Sequence, residues 1–299
     1  GGGTDLLPII SSDLKKLLYI QSNHISNFWV SNVNGTNHHQ ITFNNDFVIP
    51  ELSVSSFSPD GKQIVFPLQK VENDTTITSE LYTINRDGTN LKQLTNQKGF
   101  ILIPRWSFDG KRIVYLYRKS SSMIYDSTQT YFLNVNNPDN VKKVGNRNYV
   151  VSMWIDTQKL YLISPNYING FTYFTENDKM QNSAQDSVHF FPLFGDNNFY
   201  IEDIRFKTRG VWIQSSLSKK KILPLESFTI LSPDRKILLF QDSDKKHTWM
   251  LQYPYNKLIP LKGEFSSLLF SSISYDNKEL LYVKHETRSQ LVFIEQPFK

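Results

Sequence analysis

Cysteine is absent from this chain, which excludes a disulfide framework, thiol catalysis and cysteine-ligated metal together while leaving the cellular compartment open. Alanine is nearly absent too, Ala184 being its only occurrence. Since alanine is the best helix former, and since the apolar side chains are mostly β-branched or aromatic, the composition predicts sheet and almost no helix. No apolar run is long enough to cross a bilayer, and the start is not a basic-then-apolar leader, so no membrane insertion of this segment is expected. The usual catalytic sentences are missing as well: there is no Gly-x-Ser-x-Gly elbow, no phosphate-binding Gly-x-x-x-x-Gly-Lys, no His-Glu-x-x-His and no calcium loop. No catalytic, cofactor-binding or metal-ligating residue is assigned, and no cofactor is expected.

What is present is ample for a core. Of 299 residues, 39% are hydrophobic and 14% aromatic, and all-β folds of this length form single domains. The net charge of +5 and pI near 9.1 suggest acidic partners. Lysine and arginine are scattered rather than run together, so direct nucleic-acid binding by this domain is not expected. Gly1-Gly2-Gly3 reads as an introduced remnant, which would place natural sequence upstream.

The informative feature is a repeat. Ser58-Pro59-Asp60-Gly61-Lys62 before Gln63-Ile64-Val65-Phe66 matches Ser107-Phe108-Asp109-Gly110-Lys111 before Arg112-Ile113-Val114-Tyr115. Anchored on the turn aspartate, the copies fall at Asp13, Asp60, Asp109, Asp156, Asp196, Asp234 and Asp276, at intervals of 47, 49, 47, 40, 38 and 42 residues. A period near 40–45 residues, with four short strands in each, is that of propeller blades. Seven copies predict a seven-bladed β-propeller as one domain over 1–299, with blades at 4–43, 44–97, 98–146, 147–184, 185–225, 226–262 and 263–299. The aspartates are read as structural: a carboxylate accepts a backbone N–H two residues on, and Gly61 or Gly110 takes the left-handed conformation without penalty. Asn197 and Asn277 tolerate that conformation; Leu14, Thr157 and Arg235 do so less easily.

Within a copy the four strands can be read directly, as Leu52–Phe57, Gln63–Leu68, Glu80–Asn85 and Leu91–Thr95. A second Asx-Gly turn, Asn34-Gly35 or Asp87-Gly88, joins third to fourth strand. Second strands such as Ile237-Leu238-Leu239-Phe240 lack polar alternation, so both faces must be covered, as stacking of blade on blade requires. Copies four and five are degenerate, and 175–187 reads as a polar loop without an outer strand. The seventh copy offers strands at 268–274, 278–284 and 290–297 and then ends, so that either the ring closes with an incomplete three-stranded blade, whose edge is open to strand addition, or the missing strand lies in sequence that has been cut away. Leu6–Ser11 aligns with the inner strand Leu102–Ser107, Pro8 opposite Pro104.

The Ser-Pro-Asp-Gly-Lys turn with its apolar strand, together with Glu80-Leu81-Tyr82-Thr83-Ile84-Asn85-Arg86-Asp87-Gly88 and Gln93-Leu94-Thr95, resembles the TolB-like propeller repeat. The same residues are similar to the propellers of prolyl-oligopeptidase-type enzymes and to the sensory domains of CadC-like membrane-anchored regulators. The resemblance implies a propeller, a periplasmic or otherwise extracytoplasmic setting, and a binding or sensing role within a larger protein such as a membrane-anchored regulator.

Loops between second and third strands all fall on one rim, and pool Arg118, Lys119, Tyr125, Tyr167, Arg209, Lys245, Lys246, His247 and Arg288. A basic, aromatic rim on a rigid scaffold suits a protein partner, an acidic glycan or a small ligand. The bland alternative is ordinary solvated loop charge. His24, His247 and His285 follow second strands, and His38 and His39 are expected to face solvent. The leading expectation is a non-catalytic binding or sensory propeller. The alternatives are a polysaccharide lyase or hydrolase acting at the channel, and the accessory propeller of a peptidase.

Overall fold

The computed structural model describes residues 4–10, 16–43, 55–72, 76–119, 128–146, 148–164, 170–184, 189–192, 199–202, 210–214, 219–224, 229–234, 236–241, 247–252, 257–261 and 272–295. Regular structure among them is strand throughout. In chain order, β1 (Thr4–Ile10), β2 (Lys16–Asn32) and β3 (His39–Gln40) begin one sheet. A second holds β4 (Ser56–Phe57), β5 (Gln63–Glu72), β6 (Thr76–Asn85) and β7 (Lys92–Gln93). The third holds β8 (Phe100–Trp106), β9 (Arg112–Arg118), β10 (Gln129–Asn134) and β11 (Asn137–Lys143). The fourth holds β12 (Val150–Trp154), β13 (Lys159–Ile163), β14 (Gly170–Phe174) and β15 (Lys179–Ala184). The fifth holds β16 (His189–Pro192), β17 (Phe199–Glu202), β18 (Gly210–Gln214) and β19 (Lys219–Pro224). The sixth holds β20 (Thr229–Leu231), β21 (Ile237–Gln241), β22 (Thr248–Gln252) and β23 (Lys257–Pro260). Finally β24 (Ser272–Ile273) and β25 (Glu279–Glu295) return to the first sheet.

The described strands therefore form six antiparallel sheets, not seven. Copies one and seven share a sheet. β25 runs beside β2 in unbroken register from Lys16↔Glu295 to Asn32↔Glu279, and β24 pairs β25 on the inner side while β3 pairs β2 on the outer side. The missing outer strands of the last copy are thus supplied by the N-terminal segment, which overturns the expected incomplete blade. Two further expectations change with it. Strands anticipated at 278–284 and 290–297 are one continuous strand, and Leu6–Ile10 is no inner strand but pairs antiparallel with the start of β2. The outer strand thought absent from copy four exists as β15, paired with β14 from Phe174↔Lys179 to Gly170↔Ala184.

The uninterrupted apolar runs are buried on both faces, as their lack of alternation requires. In β5, Ile64 and Phe66 pack toward Phe28, Val30, Leu281 and Val283 of the closing sheet, while Val65 packs toward Ile101, Trp106, Ile113 and Tyr115 of the third. The pattern repeats between third and fourth sheets through Val114, Leu116, Leu160, Leu162 and Tyr173, and between sixth and first through Ile237, Leu239, Leu280 and Tyr282. Each strand residue faces one neighbour or the other. Rings reinforce the contacts: Phe28 meets Phe66 edge-on at 4.7 Å and 73°, a geometry favourable beyond area burial. Polar bridges lace the same interfaces, with Arg86 of the second sheet on Glu279 of the closing one and Asn277 donating to Asp234 Oδ2 at 2.6 Å.

Candidate functional site

The turn aspartates were expected to be structural, and the five described ones are engaged locally. Asp60 Oδ1 accepts from Lys62 N at 3.1 Å and from Ser58 Oγ at 2.6 Å. The Ser58 hydroxyl accepts in turn from Gln63 N at 2.9 Å. The same relay recurs as Ser107 with Asp109, Ser232 with Asp234 and Ser274 with Asp276. The serine's part escapes a reading centred on the aspartate, although a serine stands two residues before it in all four of these turns. The donated Ser58 and Ser274 hydroxyls hold the Asp60 and Asp276 carboxyls below the usual carboxylate range. Asp156 lacks that serine and closes a shorter turn, accepting from Gln158 N and Lys159 N at 2.8 Å each and from Lys159 Nζ. Asn277 sits at φ 60°, in the left-handed position that Gly61 and Gly110 fill elsewhere. Asp13 and Asp196 lie outside the described residues.

The rim cluster is only partly described. Arg118 does not project into solvent: it is 9% exposed and its guanidinium lies 5.4 Å over the Phe100 ring. Lys119 and His247 are exposed. Arg288 is placed in β25 opposite Asn23. Tyr125, Tyr167, Arg209, Lys245 and Lys246 lie outside the described residues. The same rim carries two β extensions, because β5 and β6 pair on to Glu72↔Thr76, and β25 and β2 pair on from Lys284↔Asn27 to Glu295↔Lys16. Of the histidines, His38 is exposed, as expected, while its ring is held in place: Nδ1 meets Tyr282 Oη and Nε2 meets the Gly35 carbonyl, both at 2.8 Å. His39 is exposed, as expected. His24 pairs with Thr287 and His285 with Ser26, so these two stand on neighbouring strands of the closing sheet. No group of three or more metal-ligating side chains occurs among the described residues.

The opposite end, where first strands turn into second strands, is built differently. The residue between turn serine and aspartate points its ring inward: Phe108 and Tyr275, from the third and first sheets, meet edge-on at 5.9 Å, and Tyr275 Oη donates to the Trp106 carbonyl at 3.3 Å. In the adjoining strand β8 the register shifts between Leu102 and Arg105, where Ile103 takes φ 51°. A β-branched residue with positive φ is a strained conformation, and a bulge re-aims the side chains beside it.

Strand order, closed sheets and inter-sheet cores find their match among solved structures. A TolB from Agrobacterium tumefaciens superposes with a TM-score of 0.60 at 15% identity, over 88% of this chain and 99% of that one. The fold is that of a TolB-type β-propeller. At such identity the likeness concerns the fold alone. In sequence, the propeller matches dipeptidyl-peptidase 5 of Porphyromonas gingivalis at 36% identity over 76 residues, and that of Porphyromonas endodontalis at 40% over 62. The chain spans only 11% and 9% of those relatives' lengths, and 25% and 20% of the chain are matched. No family model matches.

Proposed function

We propose that this propeller is a non-catalytic binding or sensing module, the extracytoplasmic part of a larger protein, and that it docks an acidic protein partner or glycan on the rim of the second-to-third-strand connections. The carrying observation is the asymmetry of its two ends. At one end the turn carboxylates are consumed by serine hydroxyls and backbone amides, and aromatic rings meet across the axis. At the other, exposed Lys119 and His247 share the rim with two protruding β extensions, a rigidly mounted surface of the kind that carries recognition. The extracytoplasmic setting rests on the TolB-like repeat. Charge reversal by Lys119→Glu, Arg209→Glu and Lys246→Glu together should abolish retention on immobilised polygalacturonate, or on an acidic partner recovered from the source cell envelope. Unchanged retention of both overturns the rim reading.

A second reading is favoured by the peptidase match: we infer as the alternative that the propeller is the accessory domain of a peptidase. Sequencing the reading frame beyond Lys299 decides it. A hydrolase domain there supports this reading, and an immediate stop removes it.

A further inference from the structure

Tyrosine and glutamine pair in both the second and the third sheet, and the two sheets close the pair differently. In the second, Tyr82 Oη donates to Gln93 Oε1 at 2.7 Å, and the Gln93 amide donates onward to the Thr95 carbonyl at 2.6 Å. The closing sheet does the same with Gln40, whose amide donates to the Thr42 carbonyl at 2.6 Å. In the third sheet Tyr131 stands opposite Tyr115 as Tyr82 stands opposite Phe66. Tyr131 Oη donates to Gln129 Oε1 at 2.9 Å, and Tyr115 Oη donates to Gln97 Oε1 at 3.3 Å. Neither the Gln97 nor the Gln129 amide nitrogen has a partner among the described residues.

These groups converge. The Tyr115 and Tyr131 rings stack at 6.1 Å, and Tyr117 meets Tyr131 edge-on at 5.7 Å and 87°. Gln129 is the register partner of Tyr117, and Tyr117 Oη donates to the Gln97 carbonyl at 3.2 Å. Gly99 makes room for that approach, since a Cβ there would stand 2.5 Å from Tyr117 Cε2. Tyr117, Tyr131, Gln97 and Gln129 are all half-buried, so a corner of two rings and two carboxamides meets solvent at the seam between second and third sheets. The hydroxyl protons of Tyr117 and Tyr131 are committed to glutamine oxygens. What remains is acceptor capacity on the tyrosine oxygens and donor capacity on the amides.

We propose that this corner is a binding site for a neutral saccharide, packed on the Tyr117 and Tyr131 rings and hydrogen-bonded by the Gln97 and Gln129 amides. Sugar hydroxyls both donate and accept, so they satisfy tyrosine oxygens and amide N–H groups together, and the C–H face of a pyranose suits the negative face of an aromatic ring. A proline-rich peptide also packs on tyrosines, but its prolines lack the N–H that the tyrosine oxygens would require. Charge does not favour an acidic sugar. Glu80 acts on Tyr115 and Tyr117 from a buried position, committed to Thr95 Oγ1 at 2.6 Å and Lys98 N at 2.7 Å, and it stands against the charge of Lys143, the register partner of Tyr131. None of the four binding residues belongs to the charged rim, so the outcome is independent of the rim reading.

Calorimetric titration of the whole chain with cellotetraose, maltotetraose and mannotetraose, set against tetragalacturonate and a proline-rich decapeptide, tests this. Saturable binding of at least one neutral sugar is expected, with the acidic sugar and the peptide at least tenfold weaker. Gln129→Leu should weaken the tightest neutral sugar at least fivefold, Tyr131→Phe several-fold, and the two together at least tenfold. Tyr82→Phe, which opens the closed pair of the second sheet, should leave affinity within twofold. Melting curves read stability separately: each tyrosine variant loses one hydroxyl bond and should shift Tm to a like extent, but only Tyr131→Phe should lose affinity. If Gln129→Leu does not fold, Gln97→Ala on the connection from β7 to β8 replaces it with the same expected loss. Absence of saturable binding of all three neutral sugars, preference for tetragalacturonate or the peptide, affinity unchanged in the double variant, or an equal loss in Tyr82→Phe each overturns the proposal.

Discussion

The sheet that closes the ring and the sheets inside it are made of the same residues by opposite means. In the second and third sheets four strands consecutive in the chain pair with one another, and every partner lies within a few tens of residues. In the closing sheet, β2 meets β25 across almost the whole chain, from Lys16↔Glu295 to Asn32↔Glu279. Local turns such as Ser58-Pro59-Asp60-Gly61 can form early and alone, whereas the closing ladder must overcome the entropy of joining chain ends before any contact rewards it. Its length answers that cost. The lesson is that ring integrity is concentrated where both termini meet, and interior sheets contribute mainly by presenting apolar faces to their neighbours.

The sharpest break of that comparison is a cavity on each side of it. Phe66→Ala empties the interface between closing and second sheets and should cost about 3–5 kcal/mol; Leu162→Ala between third and fourth sheets should cost about 2–5 kcal/mol. Urea titration gives both values. Small-angle scattering at sub-denaturing urea should separate them, the Phe66 variant alone expanding because its ring opens. Equal expansion in both would mean that the closing sheet has no special standing.

Next in size is a staple. Leu18 and Phe293 are register partners, and antiparallel partners lie within disulfide range. With no native cysteine to compete, Leu18→Cys with Phe293→Cys should oxidise cleanly and stabilise by about 2–4 kcal/mol. A mobility shift on non-reducing gels reads the bond, and thermal melts read the gain. Failure to crosslink, with ready crosslinking of Leu18→Cys with Val30→Cys instead, would mean that β2 folds back on itself into a seventh blade.

That alternative shows how far the sequence was legible. The repeat, the lack of helix among the described residues and the turn role of Asp60, Asp109, Asp156, Asp234 and Asp276 are all readable, because each rests on contacts within a few residues. The closure is not. Ser22–Ile25 and His285–Ser289 look like hairpin loops between two strands, and nothing local distinguishes folding back from running straight through to pair with the far terminus. Arg118 was misplaced because a cation laid on Phe100 and a cation in water have the same one-letter signature. The serines of the turns needed only closer reading.

Those serines carry the next prediction. Ser58 is buried and links Asp60 Oδ1 to Gln63 N, so Ser58→Ala should cost about 1–2 kcal/mol, as should Ser274→Ala in the closing sheet. The pH dependence follows from direction alone. The Asp60 and Asp276 carboxyls lie below 3.8 when folded, so their contribution is complete above that value and lost as pH falls through the lower folded pKa. Acid melts from pH 6 to pH 2 should therefore show a shallower loss of Tm in Asp60→Asn and Asp276→Asn than in the parent, with both variants already lower at pH 6.

The smallest effect belongs to Arg86 and Glu279, the bridge between the second sheet and the closing one. Both groups retain contact with water, at 43% and 20% side-chain exposure, and an ion pair so placed contributes about 0.2–1 kcal/mol. Arg86→Gln should lower stability by no more than that, and the deficit should vanish in 1 M salt, where screening reaches about 3 Å. A larger, salt-insensitive loss would mean that Arg86 acts through packing across the closing interface, as Phe66 does, and the distinction between an apolar seal and its polar fringe would then fail at this seam.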